Sequence, residues 1–163
     1  MRKIISLVLV AAMLLCAMVI TPAATDDILD AHNVKISAEY FVNATGRTSR
    51  TRYLIWVSTY TQHLYIFQGT KGNWKLIKDW ECSTGAPWSP TPTGIFGKEI
   101  EGHESHDGRI PYWCNFQTAN SIHGHRSSYT FGSPQSNGCV RNYNENAKWI
   151  YYNCDIGTAV VVY

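Results

Sequence analysis

YLIWVSTYTQHLYIFQG, Tyr53–Gly69, decides the fold class. Two runs of aromatic and β-branched residues, Tyr53–Thr59 and Gln62–Gly69, flank the polar pair Tyr60-Thr61, a gap short enough for a hairpin. GTKGN (Gly69–Asn73) then supplies a second turn into WKLIKDWECSTG (Trp74–Gly85), where apolar and polar residues partly alternate. Three antiparallel strands are expected here. Downstream, APWSPTPTG (Ala86–Gly94) holds three of the six prolines, which keeps it out of a sheet and makes it a surface loop leading into GIFGKEI (Gly94–Ile100).

EGHESHDGR (Glu101–Arg109) reads as a polar loop, IPYWCNF (Ile110–Phe116) and SIH (Ser121–His123) as short strands, and GHRSSYTFGSPQSNG (Gly124–Gly138) as loop. ENAKWIYYNC (Glu145–Cys154) is the one convincing helix, with Asn144 as its expected N-cap and Ala147, Ile150, Tyr151 and Cys154 on one face by three-and-four spacing. TAVVVY (Thr158–Tyr163) closes the chain as a buried strand. No internal repeat is visible. The expectation is a mainly β domain with one late α-helix before the final strand.

Upstream of the hairpin, residues 25–51 are polar, lack clear periodicity and run into the basic stretch GRTSRTR, so they read as a spacer. Before them, Arg2 and Lys3 precede uncharged, mostly apolar residues from Ile4 to Ile20, and then the small residues Thr21-Pro22-Ala23-Ala24. Residues 1–24 are therefore expected to be an export signal or an uncleaved N-terminal anchor, placing the rest outside the membrane, with membrane association only if the segment is retained. Cleavage after Ala24 leaves 139 residues, about one domain, and loss of Arg2 and Lys3 leaves twelve basic against twelve acidic residues. A neutral domain of this kind is not built for nucleic acid. A monomer without cofactor is expected.

The mature chain carries four cysteines, Cys82, Cys114, Cys139 and Cys154. On an exported domain an even number suggests disulfides. Cys139, however, follows a glycine in a loop just before the helix, where backbone N–H groups can point at an anion, as a thiolate nucleophile requires. A base and an orienting acceptor complete such a site, and His123, followed by Gly124, is the candidate base, with a main-chain carbonyl to fix its tautomer. From the residues alone both readings of Cys139 stand.

STGAPWSPTPTGIF (Ser83–Phe96), then IHG (Ile122–Gly124), a Gly-containing loop, and SNGCVR (Ser136–Arg141) resemble the L,D-transpeptidase catalytic domain, the YkuD-type fold of bacterial wall enzymes. Members of that family typically read S-T-G, T-P-T-G-x-[FY], I-H-G and S-H-G-C-[IV]-R, and the likeness runs in the same order over roughly Tyr53–Tyr163. The resemblance implies a β-sandwich or barrel-like catalytic domain over residues 52–163, acting outside the cell on peptidoglycan stem peptides. It implies Cys139 as nucleophile, His123 as general base and then acid, and the Gly124 carbonyl as the group holding the imidazole. It further implies an oxyanion hole from the N–H groups of Gly138 and Cys139. Arg141 is expected to support the loop or pair with a substrate carboxylate, and Ser136, Thr93 and Gly94 to shape the pocket.

Three residues depart from the family pattern: Asn137 where His is usual, Asn142 where a hydrophobic residue is common, and Asn146 where Asp is common. Asn137 is expected to contact substrate in place of the histidine. Cys114 and Cys154 lie where the family has apolar residues, so a disulfide between them is expected, leaving Cys82 as a small buried residue.

Two other classes compete. His103, His106, His123 and His125 give H-x-x-H and H-x-H spacings that a zinc peptidase would use, although no H-E-x-x-H helix is present. A wall-binding module that keeps the fold without the reaction would use Trp56, Trp74, Trp80, Trp88 and Trp113 against sugar faces, against which stands the ordinary packing of tryptophan. Within the enzyme reading, transfer to an amine gives a 3–3 cross-link and transfer to water gives L,D-carboxypeptidase activity.

Overall fold

A computed structural model describes residues 31–102, 109–125 and 130–163. The export segment expected over residues 1–24 lies outside them, and no described helix is long and apolar enough to cross a membrane. Ser37–Tyr163 form one compact unit.

The described residues form nine strands and two helices: α1 (Ala31–Ala44), β1 (Tyr53–Ser58), β2 (His63–Thr70), β3 (Asn73–Glu81), β4 (Gly94–Gly97), β5 (Ile100–Gly102), β6 (Trp113–Gln117), β7 (Asn120–His125), β8 (Val140–Tyr143), α2 (Asn144–Asn153) and β9 (Ala159–Val162). The strands make two sheets, in the orders β3-β2-β1-β9-β4 and β5-β6-β7-β8. The expected hairpin forms with Tyr53 opposite Gln68 and Ser58 opposite His63, and β3 adds antiparallel to β2. The closing strand runs parallel to β1, and β8 runs parallel to β7, both through crossovers that no local pattern announces. GIFGKEI divides between the two sheets instead of forming one strand: β4 pairs with β9, whereas β5 pairs with β6.

β1 is buried along its whole length because both of its faces are covered. Tyr53, Ile55 and Val57 join Leu64, Ile66, Val160 and Val162 in a core completed by Phe116, Ile122 and Val140 of the second sheet and Ile150 of α2. On the alternate positions, Trp56 meets Phe67, Tyr163 and Phe41 of α1, the last with ring centroids 4.9 Å apart. The stretch read as a spacer therefore contains a helix, in which Ala38 and Val42, one turn apart, are buried and Asn43 clamps the edge strand β3. Asn43 Oδ1 accepts from the Trp74 N–H at 2.7 Å and its Nδ2 donates to the Trp74 carbonyl at 2.9 Å. Without these residues the outer face of β1 would stand in water.

α2 forms as expected, with Ala147 and Ile150 buried, but Asn144 is its first helical residue and Tyr143 its N-cap, which makes no side-chain cap bond. The Asn144 side chain lies instead over Gly124, so close that a Cβ there would stand 2.3 Å from its Oδ1.

Cys114 and Cys154 are free, buried thiols, not the expected disulfide. The fully buried Lys98 sits beside them, its ammonium donating to the Cys154 carbonyl and pairing with Glu101. Burial pushes both thiols up to about 12, against the opposing effect of the Lys98 charge. Cys82 is fully buried, as expected.

Candidate active site

The parallel register of β7 and β8 assembles the candidate residues. Ile122 stands opposite Val140 and His123 opposite Arg141, so Cys139, one residue before β8, enters at the end of the strand pair that carries the histidine. His123 is almost fully buried, and its Nδ1 lies 2.7 Å from the Gly124 carbonyl. A carbonyl only accepts, so Nδ1 carries the proton and Nε2 keeps its lone pair. Burial drives the imidazole down to about 4; the Gly124 carbonyl opposes this, and the positive charge of Arg141, followed by His125, reinforces it. At neutral pH the ring is an uncharged base.

Cys139 is partly exposed, with its Sγ 3.9 Å from the Ala119 carbonyl at the turn before β7. It can meet a ligand from solvent, whereas Cys82, Cys114 and Cys154 cannot. Gly138 before it holds φ at +102°, a conformation that favours glycine, and a Cβ there would fall 2.4 Å from Asn120 Nδ2. Ser136 locks the loop from inside: its hydroxyl accepts from the Gly138 N–H at 3.0 Å and donates to the Cys139 carbonyl. The Gly138 N–H is thus engaged in this structure and reaches an oxyanion only by exchanging that bond.

Arg141 lies next to His123 in register and its Nη1 reaches the Gln135 carbonyl at 3.4 Å, which ties it to the loop before the cysteine. Asn137 is exposed on the same loop. Thr93 lines a cleft of about 270 Å³ together with Gly85, Pro90 and Pro134, and with Gly94, which opens β4, it also borders a second cleft lined by Phe41 and Tyr163. Ser136, Gly138, Cys139, His123, Gly124 and Arg141 thus lie on β7, β8 and the loop that leads into β8, while Gly94 opens β4 in the other sheet.

Sequence reasoning missed the strap that joins this cluster to the first sheet. Ser83 and Arg141 exchange backbone hydrogen bonds of 2.9 and 2.8 Å, the Thr84 carbonyl accepts from both Gln135 and Ser136 at 2.9 Å, and the Ala86 N–H donates to the Ser136 carbonyl at 2.8 Å. Gly85 has no room for a side chain, since a Cβ would meet the Ser89 carbonyl at 2.2 Å where the proline loop folds back. The S-T-G triplet was visible as a motif; its partners were not.

Among the described residues no group of three or more His, Cys, Asp or Glu stands together to hold a metal ion. His103 and His106 lie outside those residues. The tryptophans separate sharply: Trp56 and Trp74 are buried, Trp80 packs edge-on against Trp149, Trp113 is half-buried, and Trp88 is 82% exposed.

Over residues 52–162 the sequence matches the L,D-transpeptidase catalytic domain family, YkuD. The chain belongs to this family, whose enzymes act on peptidoglycan peptides, and its mainly β fold is theirs. Among solved structures it is similar to a "fused Zn-dependent amidase/peptidase/peptidoglycan-binding domain-containing protein" from Clostridium acetobutylicum, at 32% identity and a TM-score of 0.71, covering 89% of this chain and 65% of that one. It is also similar in fold to L,D-transpeptidase 3 from Mycobacterium tuberculosis in complex with a faropenem-derived adduct (18% identity, TM-score 0.58, 68% and 60% covered). An Enterococcus faecium L,D-transpeptidase, solved as a C442S mutant, resembles it likewise (21% identity, TM-score 0.58, 69% and 50% covered). The chain spans at most about two thirds of the length of these three proteins. No curated protein matches it.

Proposed function

We propose that the protein is an exported L,D-transpeptidase in which Cys139 cleaves the bond before D-alanine of a wall stem tetrapeptide and passes the acyl group to an amine. The observation that carries this reading is a solvent-reachable Cys139 at the end of the β7–β8 strand pair, which also holds a neutral His123 whose Nδ1 proton is committed to the Gly124 carbonyl. His123 Nε2 takes the thiol proton as Sγ attacks the carbonyl carbon of the third stem residue. The negative charge that develops on oxygen is met by the Cys139 N–H and by the Gly138 N–H once the latter leaves Ser136, each such donor contributing about 3 kcal/mol.

The tetrahedral intermediate collapses, the carbon–nitrogen bond breaks, and His123 returns its proton to the departing D-alanine amine. A thioester on Cys139 remains. A side-chain amine of a second stem then attacks it, His123 accepts the amine proton, and the new amide leaves the thiol restored. Water in place of the amine gives the carboxypeptidase outcome from the same thioester. Arg141, beside His123, reinforces the burial that keeps the imidazole neutral between turnovers, and stands where a substrate carboxylate can pair with it. Asn137, exposed beside this loop, offers the incoming peptide an amide in place of the family's histidine.

Mass analysis of products from a defined tetrapeptide, with and without an amine acceptor, tests the proposal. Loss of D-alanine with a new amide product supports transfer, loss of D-alanine alone supports hydrolysis, and no D-alanine release by freshly reduced protein rejects both.

A further inference from the structure

We propose that Gln62 is a positioning residue for the oxyanion-binding loop, acting through Thr84; this rests on the reading of Cys139 as the nucleophile. Gln62 lies in the β1–β2 turn, in the other sheet from the site, where nothing in the sequence marks it. It is buried, and its φ of +58° is one that glutamine adopts only at a cost. A turn that merely reversed the chain would take glycine or asparagine there.

The cost is matched by what the side chain does. Its carboxamide grips Thr84 from both sides: Oε1 accepts from the Thr84 N–H at 2.8 Å, and Nε2 donates to Thr84 Oγ1 at 2.8 Å. Nε2 also donates to the Thr59 carbonyl at 2.6 Å, and the Gln62 carbonyl accepts from the Cys82 N–H at 2.7 Å. Thr84, itself buried, presents its carbonyl to the N–H groups of Gln135 and Ser136. Ser136 then holds the Gly138 N–H and the Cys139 carbonyl.

One continuous path of hydrogen bonds therefore runs from Gln62 through Thr84 and Ser136 to Gly138 and Cys139, the two residues proposed to donate to the oxyanion, Gly138 after exchanging its bond to Ser136. All of its side-chain members are buried, so water cannot replace a lost contact, and a shift of Thr84 is passed on to Ser136. A displacement of about 1 Å at an oxyanion donor is enough to slow the chemical step strongly.

Gln62→Gly separates the side chain from the backbone, because glycine takes the +58° conformation without strain. Acylation by a carbapenem, followed by intact mass, should slow by at least about tenfold in this variant. Alkylation of Cys139 by iodoacetamide, which needs the thiol but no oxyanion donors, should stay within about twofold of wild type. Thr84→Ser, which keeps the hydroxyl, should acylate at close to the wild-type rate, and Thr84→Val should slow it as Gln62→Gly does. If Gln62→Gly loses its cooperative melt, Thr84→Val against Thr84→Ser carries the same comparison. A Gln62→Gly protein that acylates at the wild-type rate, or one in which alkylation falls in step with acylation, overturns the positioning role alone. A wild-type protein that takes up no carbapenem overturns the acyl-transfer reading as well.

Discussion

The two sheets are covered differently. β1 and β9 of the five-stranded sheet are buried at every position, between the shared core on one side and, at β1, the ring cluster under α1 on the other. In the four-stranded sheet, β6 alternates between buried and half-buried residues, β7 is buried over Ser121–Gly124 and β8 ends exposed, so the candidate site meets solvent at β8 and the loop before it. Burial on both faces yields the larger stabilisation, and an open face yields access. The first sheet is the anchor, the second carries the candidate site, and the Ser83-Thr84-Gly85 strap is hydrogen-bonded between them.

The largest effects on acylation should come from the two candidate catalytic residues. Cys139→Ser and His123→Ala are each expected to lower acyl-enzyme formation by about 10³-fold or more while the thermal midpoint moves little for the cysteine variant. Intact mass after incubation with a carbapenem is the measurement. Adduct at the wild-type rate in Cys139→Ser would place the nucleophile elsewhere and remove the functional contrast between the sheets.

The anchor side should show the reverse. Ile66, fully buried in β2, contributes to the core that both sheets share, so Ile66→Ala is expected to destabilise the fold by about 3 kcal/mol. Denaturant midpoints measure the loss, and single-turnover acylation of the folded fraction should remain within about twofold of wild type. An acylation rate that drops with stability would mean that the site feels the core directly and that the strap is not the only link.

His123 joins the two behaviours, since it is both chemical and buried. Its ordinary value of 6.5 is depressed to about 4 in the folded protein, chiefly by burial. Above pH 6.5 it is neutral folded or unfolded and adds no pH dependence. As pH falls from about 6.5 to 4, the unfolded chain takes up a proton that the folded chain refuses, so stability falls and levels off below 4; the whole span amounts to about 3 kcal/mol. Denaturant midpoints across this range should slope downward with acid in the wild type and flatten in His123→Gln. Acylation should likewise hold its rate below pH 6 and fail only toward pH 4, and an acid limb centred at 6.5 would show an imidazole that is solvated.

What the sequence disclosed follows the range of the interactions involved. The hairpin, the closing strand and α2 rest on periodicity within a dozen residues, and the Cys139 and His123 pair rests on motifs whose spacing is itself the sign. The β1–β9 and β7–β8 parallel pairs, the split of Gly94–Gly102 between two sheets and the Gln62–Thr84 clamp rest on contacts between residues far apart in the chain. Nothing local specifies them. The Cys114–Cys154 disulfide was expected from two unusual cysteines, whereas both thiols are free and buried, and the buried Lys98 bonds the Cys154 carbonyl. Helix α1 was hidden for another reason: among its described side chains only Ala38 and Val42 are buried, and the face that the helix covers belongs to β1.

That helix supplies the smallest effect and a test of how firmly the anchor side is closed. Glu39 Oε2 accepts from the Leu76 N–H at 3.0 Å on edge strand β3, while its Oε1 pairs with Lys75 Nζ at 2.9 Å. The first bond satisfies a backbone donor at a sheet edge and is partly buried; the second has a lysine side chain that is 69% exposed, so solvent and salt screen it. Glu39→Ala is therefore expected to cost about 1 kcal/mol. Lys75→Ala should cost at most about 0.5 kcal/mol, and that small loss should vanish in high salt. Denaturant melts of the two variants at low and high ionic strength separate the contributions. Equal costs that both disappear with salt would show that Glu39 holds β3 by surface charge alone, leaving the Asn43 clamp and the Phe41 ring contact to keep α1 over the outer face of β1.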